Sequence, residues 1–285
     1  MQTDDLPVTI YTPESQLRTP GRLLRLMARD FLAGRELAWR LFIRDISARY
    51  RQSILGIFWA FFPPILTGLL FIFLQAKKIV YVGSTDIPYP VFVLVGTTLW
   101  QLFTESLNAP IQSINGAKSL LSKINFPWEA LILAAFYNVI FNLLIKSAIL
   151  ACVLLFFRVE VTWAILLSPF AVIMLIILGM TLGLLITPLG MIYSDFLSAL
   201  SVATPLWFFI TPVVYSVPQA FPYSLVAILN PVSPILIAAR DLLTIGHMTN
   251  VMPFFAVSAV TLFALLIAWL LYRLAMPILI QRMSS

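Results

Sequence analysis

The residues with chemistry to offer lie inside apolar stretches. Thr97, Gln101, Thr104 and Asn108 share one helical face, with Glu105 beside them. Asn138, Asn142 and Lys146 recur every four residues, and Ser201, Thr204, Phe208, Thr211 and Tyr215 align in a third stretch. A fourth set, Ser53, Gly56, Ala60, Pro64 and Thr67, lines one side of a segment rich in aromatics: Phe58, Trp59, Phe61 and Phe62. Polar groups in an apolar setting are costly and therefore have a purpose. One purpose is helix–helix contact, where small and hydroxyl residues let backbones approach and hydrogen-bond. The other is a polar-aromatic path, in which ring faces stack on sugars while hydroxyls and amides meet sugar hydroxyls. Catalytic groups are missing. Gly116-Ala117-Lys118-Ser119 lacks the glycine spacing of a phosphate loop, and there is no HExxH and no nucleophile elbow. Glu105 and Asp195 are single carboxylates, and one histidine, His247, with one cysteine, Cys152, cannot build a metal site. No catalytic residue, metal or cofactor is expected on this chain, so any ATP that drives it must be hydrolysed by another.

The elements that carry these residues follow from composition. Of 285 residues, 61% are apolar and 11% charged, against roughly a quarter charged in soluble domains. Runs of about 20 apolar residues span a hydrocarbon core of about 30 Å as helix. Lipid admits only helices or closed barrels, and the runs here are continuous rather than alternating, so helices are expected. Spans are predicted at about 53–74, 88–109, 129–157, 163–187, 199–217 and 251–273. Segment 218–247 is apolar but broken by Pro218, Pro222, Pro231 and Pro234, with Asn230 and Arg240-Asp241. Proline at that density breaks a continuous span, which predicts a re-entrant pair of short helices dipping in from outside. The fold class expected is an all-α membrane protein with six transmembrane helices, N-terminal amphipathic interfacial helices and an outer re-entrant helix pair.

Charge placement orients this array. Arg18, Arg22, Arg25, Arg29, Arg35, Arg40, Arg44, Arg49 and Arg51 account for half of the 18 Lys/Arg. Such a block beside an apolar span suits a membrane surface better than nucleic acid. Thr19-Pro20 reads as a helix start and Gly34 as a stop. A second amphipathic helix is predicted at 35–51, with Trp39, Phe42, Ile43, Ile46 and Tyr50 at helical spacing and Glu36–Arg40 and Asp45–Arg49 as ion pairs. It is either a peripheral surface helix or a gate on the cytoplasmic side. Lys118, Lys123, Arg273 and Arg282 join the early arginines on one side, against Lys77, Lys78, Arg158 and Arg240 on the other. The bias predicts both termini in the cytoplasm. No cleavable signal segment is read in the first 50 residues. The expected organisation is a lead with its amphipathic helix at 1–34, an interfacial gate helix at 35–52 and a transmembrane domain at 53–285.

Tyr50-Arg51-Gln52-Ser53-Ile54-Leu55-Gly56-Ile57-Phe58-Trp59, followed by Pro63, resembles the opening of polysaccharide-export ABC permeases of the ABC-2 group. Three further stretches agree: Asn115 to Leu121 with Lys123, Phe126-Pro127 and Glu129; Thr211-Pro212-Val213-Val214-Tyr215 with Pro218; and Asn230-Pro231 with Arg240. Members often carry an Arg-Asp pair after the fourth span, where this chain has Ser194-Asp195. The resemblance, nearest to the O-antigen type, extends from about residue 35 to the C-terminus. It implies two permease copies joined to two ATPase subunits, ATP and magnesium being held there, in a bacterial inner membrane. The cargo implied is an undecaprenyl-pyrophosphate-linked glycan. Arg40, Arg44, Arg49 and Arg51 would meet the lipid headgroup. Phe58, Trp59, Phe62, Thr67, Ser201, Thr204, Phe208, Thr211 and Tyr215 would line the conduit. Lys118, Leu121, Lys123, Phe126 and Asp195 would couple to the ATPase. An ABC-2 exporter of a small lipid or drug, a membrane-embedded glycosyltransferase or acyltransferase, and a channel are the rival readings. The transferase would need acid/base or metal-binding carboxylates near one interface.

Overall fold

The structure is a computed structural model that describes residues 20–51, 59, 61–79, 83, 85, 87–121, 126–160, 162–217 and 229–284. Every regular element among them is helical. In chain order they are α1 (Pro20–Ala33), α2 (Arg35–Tyr50), α3 (Phe62–Ala76), α4 (Tyr89–Leu121) and α5 (Glu129–Phe156). A 3-10 turn at Trp163–Leu167 leads into α6 (Ser168–Ile192), followed by α7 (Ser194–Ile210), α8 (Val232–Thr244) and α9 (Val251–Ser284). Among the described residues, three stretches are long and apolar enough to cross a membrane: Glu129–Phe156, Trp163–Ile192 and Val251–Pro277. The shorter apolar helices are Phe62–Ala76 and Ser194–Ile210.

At the centre α4 packs on α6, flanked by α5, α3 and α8. The close approach is built on glycine. A Cβ at Gly179 would fall 2.7 Å from the Phe103 carbonyl oxygen, and one at Gly183 would collide with that of Leu107. Small residues four apart let membrane helices meet backbone to backbone. The main core gathers Val91, Leu99, Phe103, Leu107, Leu175 and Ile176 with Ile235 and Leu236 of α8 and Phe254 of α9. A second core joins Ala38 and Leu41 of α2 to Ile114 and Leu121 of α4, Ala130 and Ala134 of α5, and Tyr272 and Met276 of α9.

α1 and α2 fall where the sequence places them, with the break at Gly34. That glycine sits in ordinary right-handed backbone (φ −72°). Its value is proximity, because a Cβ there would lie 3.2 Å from Ala130 N. α2 packs along α5, and the rings of Trp39 and Phe42 stand against Tyr137, with Phe42 also against Phe141. In α4 the helix continues through Pro110 to Leu121, so most of the stretch read as a loop after residue 109 is helical. Membrane helices tolerate proline where neighbours shield the freed backbone. Thr19, the 1–19 lead and Pro218 and Pro222 lie outside the described residues. Of the segment read as re-entrant, only α8 with its flanks is described.

Candidate functional site

An open cleft of about 680 Å³ separates α2, α4 and α5. Asp45 and Arg49 line it from α2, Glu105, Gln112 and Ser113 from α4, and Asn138 and Asn142 from α5. Lys146, 1% exposed, donates to Glu105 Oε1 at 2.5 Å. Two ionisable groups 41 positions apart are thereby paired between two long helices. In the sequence Lys146 is only a member of a polar stripe and Glu105 a single carboxylate; the signal for pairing was present, since opposite charges within apolar helices seek one another. Asn138 donates to the Ala134 carbonyl at 3.0 Å and Ser113 to that of Leu131 at 2.9 Å.

The arginines of α2 behave individually. Arg40 pairs with Glu36 at 2.6 Å, but both are largely exposed, so the bond contributes at most about 1 kcal/mol. Asp45 does not pair with Arg49. Its Oδ1 alone accepts from both Nε (3.0 Å) and Nη2 (2.7 Å) of the adjacent Arg44. Arg49 stands at the cleft with no ion-pair partner among the described residues, and Arg51 is exposed at the end of α2.

The residues proposed for a conduit divide in two. Trp59 and Phe62 are exposed and contact each other, with ring centroids 5.4 Å apart. Ser201 is exposed on α7, and Thr67 and Thr204 are half-buried. Phe208, by contrast, is buried between Phe71 of α3 and Trp100 of α4. Thr211 is fully buried; it donates to the Trp207 carbonyl and accepts from Asn230 Nδ2 at 2.8 Å. Tyr215 is half-buried and its hydroxyl reaches the carbonyls of Phe209 and Ile210. α3 and α7 therefore stand side by side through Phe71–Phe208. Phe58 lies outside the described residues.

Asn230 is a junction that composition could not reveal. Its Oδ1 accepts from Trp207 Nε1 at 3.0 Å and from the Val232 amide at 3.1 Å, which ties α7 to the start of α8. Arg240 lies over the ring of Phe92, 3.7 Å from its centroid, and donates to the Pro212 carbonyl at 3.0 Å. Asp241 accepts from the Thr249 amide and hydroxyl, which closes the turn before α9.

Of the proposed coupling residues, Lys118 is exposed near the end of α4 and Leu121 is buried there. Phe126 is half-buried, packed against the second core, and Asp195 is exposed in the first turn of α7. Lys123 lies outside the described residues. Near this end Arg273 of α9 bonds Asp30 of α1 at 2.6 Å and also Glu129 of α5, while the Tyr272 hydroxyl donates to the Trp128 carbonyl at 3.2 Å.

Long apolar helices packed through glycine, with ionisable groups paired between them, define a multi-pass helical membrane protein. The chain belongs to the ABC-2 type transporter family, whose model matches residues 36–244. It is 26% identical over 243 residues to an O-antigen export system permease protein RfbA of Myxococcus xanthus, covering 84% of this chain and 92% of that one. A protein of the same name from Klebsiella pneumoniae is 25% identical over 214 residues, covering 71% of this chain and 78% of the relative. As a member of that family, the chain is a component of a transporter.

Proposed function

We propose that this chain is the membrane subunit of an ABC exporter that moves a lipid-linked polysaccharide from the cytoplasm across the bacterial inner membrane. The observation that carries the reading is the match along most of the chain to relatives named as O-antigen export permeases. Two copies work with two ATPase subunits, which hold ATP and magnesium. Each copy crosses the membrane six times, as α3, α4, α5, α6, α7 and α9, with α8 as part of a re-entrant unit and both termini inside. The 1–34 lead and the gate helix of 35–52 lie at the cytoplasmic face, ahead of the transmembrane domain of 53–285.

The mechanism follows the placement of side chains. Arg40, Arg44, Arg49 and Arg51 meet the pyrophosphate of an undecaprenyl carrier, a task suited to the guanidinium fork. Trp59, Phe62, Thr67, Ser201 and Thr204 face the path shared with the second copy, and Phe58 belongs with them. Phe208, Thr211 and Tyr215 frame that path from behind. Lys118, Leu121, Lys123, Phe126 and Asp195 receive the closure of the ATPase pair. ATP binding favours one arrangement of the two permeases and hydrolysis releases it.

The test is affinity capture of the tagged chain from its native membrane, with export measured in a strain lacking it. An ATPase subunit should co-purify, and cell-surface glycan should disappear and return on complementation. Capture without an ATPase would exclude the ABC assembly. Capture of an ATPase with surface glycan unchanged would assign a different cargo.

A further inference from the structure

The charges at the α2–α4–α5 cleft do not cancel. Asp45 is neutralised by Arg44, at 2.7 Å, and Glu105 by Lys146, at 2.5 Å. Arg44 belongs to the same wall, since its Nη2 stands 3.9 Å from where a Cβ on Gly116 would be. Three cations, Arg44, Arg49 and Lys146, thus face two carboxylates, and the positive charge left over is that of Arg49. The donors divide in the same way. Ser113 and Asn138 spend theirs on the carbonyls of Leu131 and Ala134. Arg49 of α2, Gln112 of α4 and Asn142 of α5 line the cleft with no side-chain hydrogen-bond partner among the described residues. Each of the three helices therefore brings one unspent donor group to the same open space.

Depth makes that charge costly. α2 climbs along α5: Gly34 approaches Ala130, and Phe42 meets Tyr137 and Phe141. From Phe42 to Arg49 is about 10 Å more of helix, and Arg49 shares the cleft with Asn138 and Asn142. From Glu129, where α5 begins, to Asn142 is about 20 Å. The 28 residues of α5 exceed the hydrocarbon thickness by about 12 Å. Even with that whole surplus at the Glu129 end, the cleft reaches below the headgroup level. A cation at that depth requires a counter-charge.

A lipid headgroup supplies one. Its phosphate carries the negative charge that Arg49 lacks, and its oxygens accept from the N–H groups of Arg49, Gln112 and Asn142; guanidinium–phosphate contacts are among the stronger charge-assisted hydrogen bonds. Because the cleft is open, the headgroup enters while its chains remain in the bilayer. We infer that the α2–α4–α5 cleft is a lipid-phosphate site, held by Arg49 with Gln112 and Asn142. Phospholipids of the bilayer offer that group, as does the pyrophosphate carrier of the export reading, so the inference does not rest on that reading. It sets Arg49 apart from Arg40 and Arg44, whose guanidinium groups already have carboxylate partners.

The test is photo-cross-linking of the full chain in its native membrane. Ala48→p-benzoylphenylalanine puts the probe on the cleft wall, and Leu66→p-benzoylphenylalanine puts one on the exposed face of α3, where it samples bulk lipid. Mass spectrometry of the digested adducts identifies the lipid captured. Ala48 should capture phosphate-bearing lipid, and Arg49→Gln should lower the ratio of Ala48 to Leu66 adduct about tenfold, the worth of one charge-assisted bond. Arg49 is exposed, so this variant should fold and elute on size exclusion as its parent does. Arg49→Lys, which keeps the charge, should retain most of the adduct. Arg25→Gln, which removes an exposed charge from α1, should leave the ratio unchanged. The adduct mass names the source, an ordinary phospholipid or a polyprenyl pyrophosphate. Either supports the site, and only the second bears on export. An Ala48 adduct indifferent to Arg49→Gln, or an Ala48 probe that captures no phosphate-bearing lipid, would overturn the inference and leave export standing.

Discussion

At the residue scale the strongest assignments concern ionisable groups whose partners lie far away in sequence. Arg273, 11% exposed in its side chain, joins Glu129, 2% exposed, and Asp30. Removing one member of such a buried set strands the other charges, a loss of about 3–5 kcal/mol. Arg273→Met should therefore lower the melting temperature of the purified transporter sharply. Arg273→Met with Glu129→Gln should recover much of it, since the stranded carboxylate is gone; thermal unfolding of both variants in the same detergent measures this. The sequence counted Arg273 only as a charge favouring one side of the membrane, because nothing in its spacing names a partner 144 positions away. Lys78 and Arg158 were weighed as charges too, and both prove to be helix stops. They adopt left-handed backbone (φ 56° and 51°), and the amides that follow them bond back to Leu74 and Leu154. That is the Schellman ending, usually given to glycine, and a basic residue there also complements the helix dipole. Each thus has a local role that a count of charges does not capture.

At the element scale, two contacts decide how the helices sit. Gly179 and Gly183 let α4 and α6 touch through the carbonyls of Phe103 and Leu107. Gly183→Leu must push these helices apart at the centre of the fold, a loss of at least about 1–3 kcal/mol by overpacking. The purified protein should aggregate at lower temperature and yield should fall, as read by size-exclusion chromatography after heating. The second contact is the α2–α5 ring cluster. Phe42 is 7% exposed, so Phe42→Ala should cost about 3 kcal/mol and loosen α2 without unfolding the spans. A cysteine at Ile46 should then react faster with a thiol reagent, while overall melting shifts little. Helical spacing in the sequence marked Trp39 and Phe42 as one face, but periodicity names a face and not its partner, and α5 as that partner emerged only from the fold. The end of α4 was misplaced near residue 109 because Pro110 and the polar residues after it resemble a stop. Packing of Ile114 and Leu121 in the second core carries the helix onward by about 18 Å.

At the scale of the whole molecule, helix length bears on orientation. α5 has 28 residues and α9 has 34, about 42 and 51 Å of helix against about 30 Å of hydrocarbon. Both run past the bilayer, and the surplus belongs at the end where Glu129, Arg273 and Asp30 are joined and α1 and α2 dock. Charged groups and amphipathic helices suit the aqueous boundary, and arginine-rich segments favour the cytoplasmic one. Lys118 near the end of α4 should then face the cytoplasm, and Asn250, just before α9, should face outward. The chain has a single cysteine, Cys152, so Cys152→Ser gives a clean background. In that background, Asn250→Cys should react with a membrane-impermeant maleimide on intact spheroplasts, whereas Lys118→Cys should react only after permeabilisation. The reverse pattern would invert the array, place the α2 arginines and the cleft on the outer face, and remove both from the path of a cytoplasmic lipid-linked substrate. Labelling of both residues from outside would mean an even number of crossings between them, with α8 spanning the bilayer or the short helix α7 failing to do so.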